Sequence, residues 1–476
     1  MSVLNSSFGP ERYFEEICKI PHGSFAEKAI SDYIVEFARD HKLECIRDQE
    51  NNVVVYKKGS EGYEDHKPLI LQGHTDMVCE KDSDCDFDFT KDPLNIYVED
   101  GKLKARGTTL GGDDGVAVAY MLAILEDDTI AHPPLECVFT VQEEVGCIGA
   151  AKLDFSLFKS KRMLNLDNLS FEHTNVSSSG SQKMRLYREI QKEDMEADFY
   201  RITVDGLKGG HSGMFIDSER GNAVKITARI LYALAKESDI RIAEVNGGNK
   251  ENAIPIYGEA IFATSAEKEK ITETFNTIRK DILNEYKFSE EDLKIEINET
   301  EKEKVLIEKD SQDLLKYMIA LPHGYRHRSM NIEGLITASE NLASVRTTDN
   351  DVTFRVLQRA ELESRLDEMK DEIDMISERF GFDVIVDGRA PSWAYQPDSG
   401  MRKLLFEIYE EKTGNKLIEA ATHGGLETGY FAGEIPGIDI VTFGPTVSDY
   451  HTSRECLDLE TFRQAYEIII EMLKRL

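Results

Sequence analysis

His74 and Asp76 are the first side chains in the sequence whose types and spacing could do chemistry together. They follow a short apolar run that begins at Leu69 and predicts a buried strand, and residues two apart on a strand point to the same side. A histidine that binds a metal ion commonly needs a carboxylate on its second ring nitrogen to fix the tautomer. Alone, such a pair is more often a solvated strand end, so a metal site requires further ligands.

Five more residues of the same chemical kind stand after predicted strands or in loops: Asp113, Glu143, Glu144, Asp167 and His451. Apolar runs over 135–142 and 163–166 predict buried strands that lead to the two glutamates and to Asp167. Strands that alternate with helices predict an α/β fold with a mixed, mostly parallel sheet flanked by helices. Ligands of such sheets bind beyond the carboxyl ends of the strands, where these acids are expected to lie.

Imidazole and carboxylate groups without thiolates favour Zn, Co or Mn over a structural cysteine-type zinc site. Two ions need one shared carboxylate, and Asp113 is best placed for this because it lies in a glycine-rich turn at a helix start. Adjacent acids at a strand end diverge, so Glu144 is predicted to be a ligand and Glu143 the general base. Each residue alone is more typical of a cap, a turn or a loop, and only their joint occurrence favours a metal site.

The bulk composition narrows the class of protein. The chain has 476 residues, of which 41% are hydrophobic, and this is enough for two domains that each have a hydrophobic core. A net charge of −32 disfavours nucleic acid and anionic membranes as partners, and no apolar stretch is long enough to span a membrane. Seven scattered cysteines without a Cys-x-x-Cys pair argue against disulfides. We therefore expect a cytoplasmic protein.

The order of predicted elements changes after about residue 180. The series strand, helix, strands, helix occurs twice, which predicts a duplicated α/β unit whose second copy begins with the strand Leu293–Asn298. We expect a discontinuous metal-binding domain over 1–184 and 385–476, with an inserted domain over 185–384. Near the N-terminus, Ser24 and Glu27 form a capping-box pattern that predicts a helix start.

Several motifs resemble those of the dizinc aminoacylase/carboxypeptidase-type metallopeptidases, and among them the aminoacyl-histidine dipeptidase branch. These motifs are Gly73–Val78, Gly107–Gly115, Gln142–Gly146, Asn165–Asn168 and Gly209–Gly213. The likeness extends over nearly the whole chain. One departure is Asp114, where many of these dipeptidases have asparagine. No His-Glu-x-x-His, Walker A or Gly-x-Ser-x-Gly motif occurs.

The resemblance implies a role for each matching residue. One metal would be held by His74, Asp113 and Asp167, and the other by Asp113, Glu144 and His451, most simply with two Zn ions, although Co and Mn also fit. Asp76 would orient His74, and Glu143 would activate the water between the metals. The inserted domain would be a lid that contributes three residues: His211 at the transition state, and Asn252 and Arg359 for substrate binding. Arg346 is the alternative to Arg359, and Glu427 matches a pocket position to which we assign no chemistry.

The implied function is a dipeptidase that hydrolyses short unblocked peptides, with Xaa-His dipeptides as the favoured class. The alternatives are a tripeptidase, an N-acyl-amino-acid deacylase, or a catalytically inactive protein that binds metal or peptide. The resemblance is also compatible with a homodimer, in which His211 could serve its own site or that of the partner.

Overall fold

A computed structural model describes residues 2–476, and the chain divides into two compact units. The first unit comprises the residues up to Ser178, Trp393–Thr422 and Leu426–Leu476, and the second comprises Ser179–Ser392 and His423–Gly425. Among the described residues, the helices α1 to α11 are, in chain order, Gly9–Ile17, Lys28–Asp40, Gly112–Glu126, Ile148–Lys152, Ala223–Glu237, Lys268–Glu285, Glu308–Ala320, Glu363–Phe380, Gly400–Thr413, Thr428–Glu434 and Leu459–Arg475. None of these helices combines the length and the apolar composition that a membrane crossing requires.

The strands of the described chain are numbered β1 to β25. They are, in chain order, Glu44–Arg47, Val53–Lys57, Leu69–His74, Ile96–Glu99, Lys102–Ala105, Leu135–Thr140, Arg162–Asn165, His173–Ser178, Gly180–Glu189, Lys192–Glu193, Asp198–Asp205, Gly210–His211, Ile240–Gly247, Ala253–Ile254, Gly258–Thr264, Lys294–Glu299, Val305–Leu306, Gly324–Arg328, Ile336–Thr347, Asp351–Ala360, Asp383–Ala390, Ile418–Thr422, Asp439–Thr442, Val447–Ser448 and Cys456–Asp458.

The first unit contains a six-stranded sheet in the order β1-β2-β6-β3-β7-β23. Strands β6, β3, β7 and β23 run parallel, and β2 and β1 extend the sheet antiparallel at one side. Both β3 and β6 are buried along their whole length, as parallel strands are when both faces of the sheet are covered. The predicted mixed, mostly parallel sheet is confirmed.

The carboxyl ends of the parallel strands bring the predicted ligands to one edge of this sheet. Strand β3 ends at His74, β6 ends three residues before Glu143, and β7 ends two residues before Asp167. Helix α3 is buried on all sides from Val116 onward, which explains its uniformly apolar sequence. Its first turn is irregular, because Asp113 and the residue after it have non-helical backbone angles.

The capping box predicted near the N-terminus does not form. Helix α2 begins at Lys28, and its N-cap, Glu27, makes no capping hydrogen bond through its side chain. The Ser24 hydroxyl instead donates to Asp76 at 2.8 Å, and Glu27 accepts from the N–H of Gln142 at 3.2 Å. The expectation was wrong because distant partners compete for the polar atoms that the local pattern assigned to the cap.

The second unit is built on a nine-stranded sheet that is antiparallel throughout. Its strands follow the order β16-β11-β15-β13-β19-β20-β9-β21, and β18 pairs with β19. One half consists of β11, α5, β13, β15, α6 and β16, and the other of β9, α7, β19, β20, α8 and β21. Numbered in that order, each half reads 4-1-3-2 from its outer edge, so the duplicated α/β unit is confirmed.

The boundary between the two copies differs from the sequence-based expectation. The strand predicted to open the second copy, Leu293–Asn298, is β16, which closes the first half of the sheet. The second half is instead opened by β9, which precedes the first half in the chain. The second unit comprises Ser179–Ser392 and His423–Gly425, whereas the sequence predicts an inserted domain over 185–384. Strands β9 and β21 both belong to the sheet of this unit.

Candidate active site

Asp113 lies between two histidines in the first unit. One of its carboxylate oxygens, Oδ1, is 3.0 Å from Nε2 of His74, and the other, Oδ2, is 3.3 Å from Nε2 of His451. The same nitrogen of His451 is 2.9 Å from Oε1 of Glu144. A carboxylate that turns one oxygen to each of two separate ligand groups has the arrangement needed to bridge two cations.

Asp76 lies on the opposite side of His74. Nδ1 of His74 is 3.0 Å from the Asp76 carbonyl oxygen and 3.4 Å from its Oδ1. The Asp76 carboxylate also accepts the backbone N–H groups of Glu143 at 2.9 Å and Glu144 at 3.3 Å. One buried carboxylate therefore holds the ring of His74 and the backbone of both glutamates, and the hydroxyl of Ser24 holds that carboxylate in turn.

Burial changes the protonation chemistry of two acids near His74. It raises the pKa of Glu143 well above the ordinary glutamate value, which suits a group that must accept a proton near neutral pH. Burial, followed by the negative charge of Asp113, raises the pKa of Asp167 to about 7. Within residues 2–476, no hydrogen bond reaches the carboxylate of Asp167, so its oxygens are free to bind a ligand.

The donor set fits divalent cations. Ligand atoms of His74, Asp113 and Glu144 lie within 4.8 Å of one another, and so do those of His74, Asp114 and Asp167. Among the described residues, no lysine or arginine forms an ion pair with any of these acids. Clustered, largely buried carboxylates that no lysine or arginine neutralises favour a bound cation beside the imidazoles, and oxygen and imidazole donors suit a hard or borderline metal ion.

The second of these groups contains Asp114, whereas the sequence assigned the bridging role to Asp113. Asp114 uses both oxygens on backbone groups, because Oδ2 accepts the N–H of His74 and Oδ1 that of Ala117, each at 3.2 Å. Both oxygens of Asp113 face imidazoles instead. This division favours Asp113 as the bridging ligand and Asp114 as an anchor for the strand end.

The structure also places at this site residues to which the sequence analysis gave no role in it. Ser24 holds Asp76, the thiol of Cys147 lies 3.5 Å from Oε1 of Glu143, and Glu455 binds the loop before Asp113. Glu427, which had no assigned chemistry, is buried and accepts hydrogen bonds of 2.6 Å from Gln72 and Thr140. Glu455 lies four residues after His451 and Cys147 four residues after Glu143, so each is close in sequence to a predicted site residue. The contacts of Ser24 and Glu427 join distant segments of the chain.

The second unit brings together the predicted lid residues. His211 lies on β12, which pairs with β14 next to Asn252, and the Asn252 carbonyl accepts the N–H of Ser212 at 2.8 Å. Burial and then the charge of Arg359 lower the pKa of His211. The same two causes, in that order, lower the pKa of His423 to about 3. The positive charge of Arg359 therefore acts on both imidazoles within this unit.

Arg359 and Arg346 differ in the atoms available to a ligand. Arg346 donates to the carbonyl oxygens of Gly247 at 2.6 Å, Val345 at 2.7 Å and Gly248. Arg359 is 8% exposed, and its guanidinium makes no hydrogen bond to any of residues 2–476. Burial lowers its pKa to about 10, so it remains cationic at neutral pH. A buried, unpaired guanidinium favours Arg359 as the binder of a carboxylate.

His423 is expected to make the second unit sensitive to acid. The His423 ring is buried between two hydroxyls, with that of Ser179 2.8 Å from Nδ1 and that of Ser339 2.6 Å from Nε2. The pKa of His423 is about 3 in the folded protein, below the value of about 6.5 in an unfolded chain. The unfolded state therefore binds the proton first, so stability is full above about pH 6.5 and falls as the pH drops toward 3.

Between pH 7 and pH 5 this linkage predicts a loss of about 2 kcal/mol in the free energy of unfolding. Urea denaturation followed by circular dichroism measures it, with His423→Gln as the variant that cannot titrate and His66→Gln, at an exposed histidine, as the control. We expect His423→Gln to lose less stability than the wild type over this interval. If His423→Gln and the wild type lose the same free energy of unfolding over this interval, His423 is not the residue that makes the protein sensitive to acid.

Comparison with known proteins agrees with this geometry. Residues 70–475 match the model of Peptidase family M20/M25/M40. The chain is 33% identical to the cytosol non-specific dipeptidase of Escherichia coli (strain K12) over 470 residues, which cover 97% of this chain and 96% of the relative. The structure matches the aminoacylhistidine dipeptidase of Vibrio alginolyticus with a TM-score of 0.91 and 32% identity, over 100% of this chain and 98% of that chain. The predicted family resemblance is thus confirmed, and the chain belongs to peptidase family M20/M25/M40.

Proposed function

We propose that the chain is a metal-dependent dipeptidase that hydrolyses short unblocked peptides, with Xaa-His dipeptides among its substrates. The observation that carries the proposal is Asp113, which presents one oxygen to His74 and the other to His451, beside Glu144. The names of the two relatives support the reaction, since one is a non-specific dipeptidase and the other an aminoacylhistidine dipeptidase.

The proposed ligand sets share Asp113. His74, Asp113 and Asp167 would hold one divalent ion, and Asp113, Glu144 and His451 would hold a second, with Zn as the first choice and Co and Mn as alternatives. Bound there, such ions would polarise the scissile carbonyl and make an attacking water more acidic. Asp76 would keep Nε2 of His74 directed at the site through its contacts with Nδ1.

Glu143 would move the proton. A carboxylate with a raised pKa can take a proton from the attacking water and later deliver it to the leaving amine. The backbone N–H of Glu143 donates to the Asp76 carboxylate at 2.9 Å. The same carboxylate lies beside Nδ1 of His74. The base and the ligand are therefore positioned by one side chain.

Arg359 is proposed to bind the C-terminal carboxylate of the peptide, with His211 and Asn252 as further substrate contacts in the second unit. The support is the unpaired guanidinium of Arg359, compared with the backbone-bound guanidinium of Arg346.

Arg359→Met is expected to raise the KM of a free dipeptide about 100-fold, the equivalent of about 3 kcal/mol, because a charged pair would be lost from a buried setting. The KM of the same dipeptide with an amidated C-terminus should not change, since that substrate has no carboxylate to lose. Arg346→Met is the matched control, and a selective loss of free-dipeptide binding in that variant would move the role to Arg346.

A substrate scan with and without a chelator tests the function itself. The panel contains Xaa-His and other dipeptides, tripeptides and N-acyl amino acids. We expect hydrolysis of dipeptides that disappears with the chelator and returns when Zn, Co or Mn is restored. Activity confined to tripeptides or to N-acyl amino acids contradicts the dipeptidase proposal, and hydrolysis that persists in metal-free protein contradicts the metal requirement.

The remaining parts of the proposal concern location and assembly. A cytoplasmic location is supported by seven free cysteines and by the word cytosol in the name of the Escherichia coli relative. A homodimer is proposed as the assembly, and sedimentation equilibrium tests it. A measured mass equal to that of one chain would contradict the proposed homodimer.

A further inference from the structure

We propose that Glu455 is a positioning residue for the metal centre, whose carboxylate gathers four consecutive backbone N–H groups and so sets the direction in which Asp113 presents its oxygens. Glu455 is 3% exposed. Its Oε2 accepts from Leu110 at 2.7 Å and Gly111 at 3.0 Å, and its Oε1 accepts from Gly112 at 2.8 Å and Asp113 at 3.3 Å. The inference rests on the proposed function, because it assigns Asp113 to a metal.

Among the described residues, hydrogen bonds from these four backbone N–H groups compensate the negative charge of the Glu455 carboxylate. Within the described chain, no lysine, arginine or histidine forms an ion pair with Glu455. A buried carboxylate without a cation is costly unless hydrogen bonds compensate it, so the loop must keep its four donors convergent on one point. That requirement fixes the backbone up to the N–H of Asp113, one bond from the Cα that carries the ligand side chain.

The glycines of this loop fit the same purpose. Gly111 has a φ of 70°, which a glycine adopts without strain, and it turns the chain so that consecutive N–H groups point to one side. A Cβ at Gly112 would lie 3.2 Å from Oε1 of Glu455 and 3.3 Å from a methyl group of Val447. The close approach of the carboxylate to the backbone therefore depends on the absence of a side chain at Gly112.

Glu455 also joins the two loops that meet at the bridging acid. It lies four residues after His451, and its own N–H donates to the carbonyl of Thr452 at 3.1 Å within the same loop. The loop that supplies His451 thus supplies the carboxylate that fixes the backbone of Asp113. This explains how Oδ2 of Asp113 and Nε2 of His451 come to lie 3.3 Å apart although the residues are distant in sequence.

The test compares two glutamates of the first unit. Glutamine has the size of glutamate, but its amide nitrogen cannot accept a hydrogen bond, so Glu455→Gln removes the acceptor for part of the loop. The matched control is Glu136→Gln, at a 4% exposed glutamate that accepts the N–H groups of Lys159 and Ser160. Metal-free protein is titrated with Co²⁺, followed by its visible absorption, and the thermal unfolding midpoint of each metal-free protein is recorded.

We expect Glu455→Gln to bind Co²⁺ about 10- to 100-fold more weakly than the wild type, with an altered absorption spectrum. Glu136→Gln should bind as the wild type does, even if both variants lose thermal stability to the same extent. Wild-type affinity and spectrum in Glu455→Gln overturn the positioning role and leave Glu455 as a structural residue only.

A second variant keeps the proposal testable if Glu455→Gln does not fold. Gly112→Ala should weaken Co²⁺ binding by crowding Oε1, whereas normal binding in this variant overturns the proposal. The outcomes also separate the proposed dipeptidase function from the positioning role of Glu455. Wild-type protein that binds Co²⁺ but hydrolyses no dipeptide contradicts the proposed function, and the comparison of Glu455→Gln with Glu136→Gln still decides the positioning role.

Discussion

Replacing Glu143 with glutamine is expected to lower the turnover of a dipeptide about 10²- to 10⁴-fold without releasing metal from the protein. The amide cannot take a proton from the attacking water, but it has the size of the carboxylate and leaves every proposed ligand in place. Turnover is measured with a dipeptide at saturating concentration, and the metal content by inductively coupled plasma mass spectrometry.

Glu144→Gln is the natural control, because it makes the same chemical change one residue further along the same turn. The Glu144 carboxylate lies 2.9 Å from His451, so this variant should lose metal as well as activity. Full activity of Glu143→Gln shows that the base is another residue. Loss of metal from Glu143→Gln and not from Glu144→Gln shows that the two roles are exchanged.

Asp113→Asn is expected to release metal from both sites and to reduce turnover by about 10³-fold or more, since it removes several kcal/mol of transition-state stabilisation. The adjacent Asp114→Asn should keep its metal and most of its activity. An asparagine at 114 still accepts one backbone hydrogen bond through its oxygen, and many dipeptidases of the branch that this chain resembles have asparagine there. The measurements are metal content and the kcat of a dipeptide.

This pair of variants distinguishes the two readings of the cluster around His74. Ligand-atom distances alone group Asp114 with His74 and Asp167, whereas hydrogen bonding occupies both Asp114 oxygens on backbone N–H groups. If Asp114→Asn loses metal and Asp113→Asn retains it, Asp114 is the ligand. The bridging assignment of Asp113 would then be wrong.

The sequence could name the proposed ligands because their types and positions follow from local patterns. Apolar runs mark β3, β6 and β7, and residues just beyond such strands share one sheet edge, so His74, Glu144 and Asp167 could be grouped from the sequence. The contacts that orient these side chains could not be predicted from the sequence. Ser24 was expected to cap a helix but binds Asp76, because a buried carboxylate offers a better partner than the helix start.

The second unit shows the same division at the level of topology. Repeated elements in the sequence correctly indicated a duplicated α/β unit, because the same series of strand, helix, strands and helix occurs twice along the chain. They did not reveal that β9 completes the second half, since a strand carries no local mark of its neighbour in a sheet. Pairing is decided by cross-strand packing, which joins residues far apart in the chain.

The sequence by itself determined which residues could bind metal, which acid could act as a base and which family the chain resembles, since these depend on residue type and spacing. Tertiary structure alone decided that Asp113 faces two imidazoles while Asp114 faces backbone N–H groups, and that Arg359 is unpaired while Arg346 is not. The physical reason is that a polar side chain binds whichever partners burial brings within about 3 Å, and those partners come from distant segments of the chain.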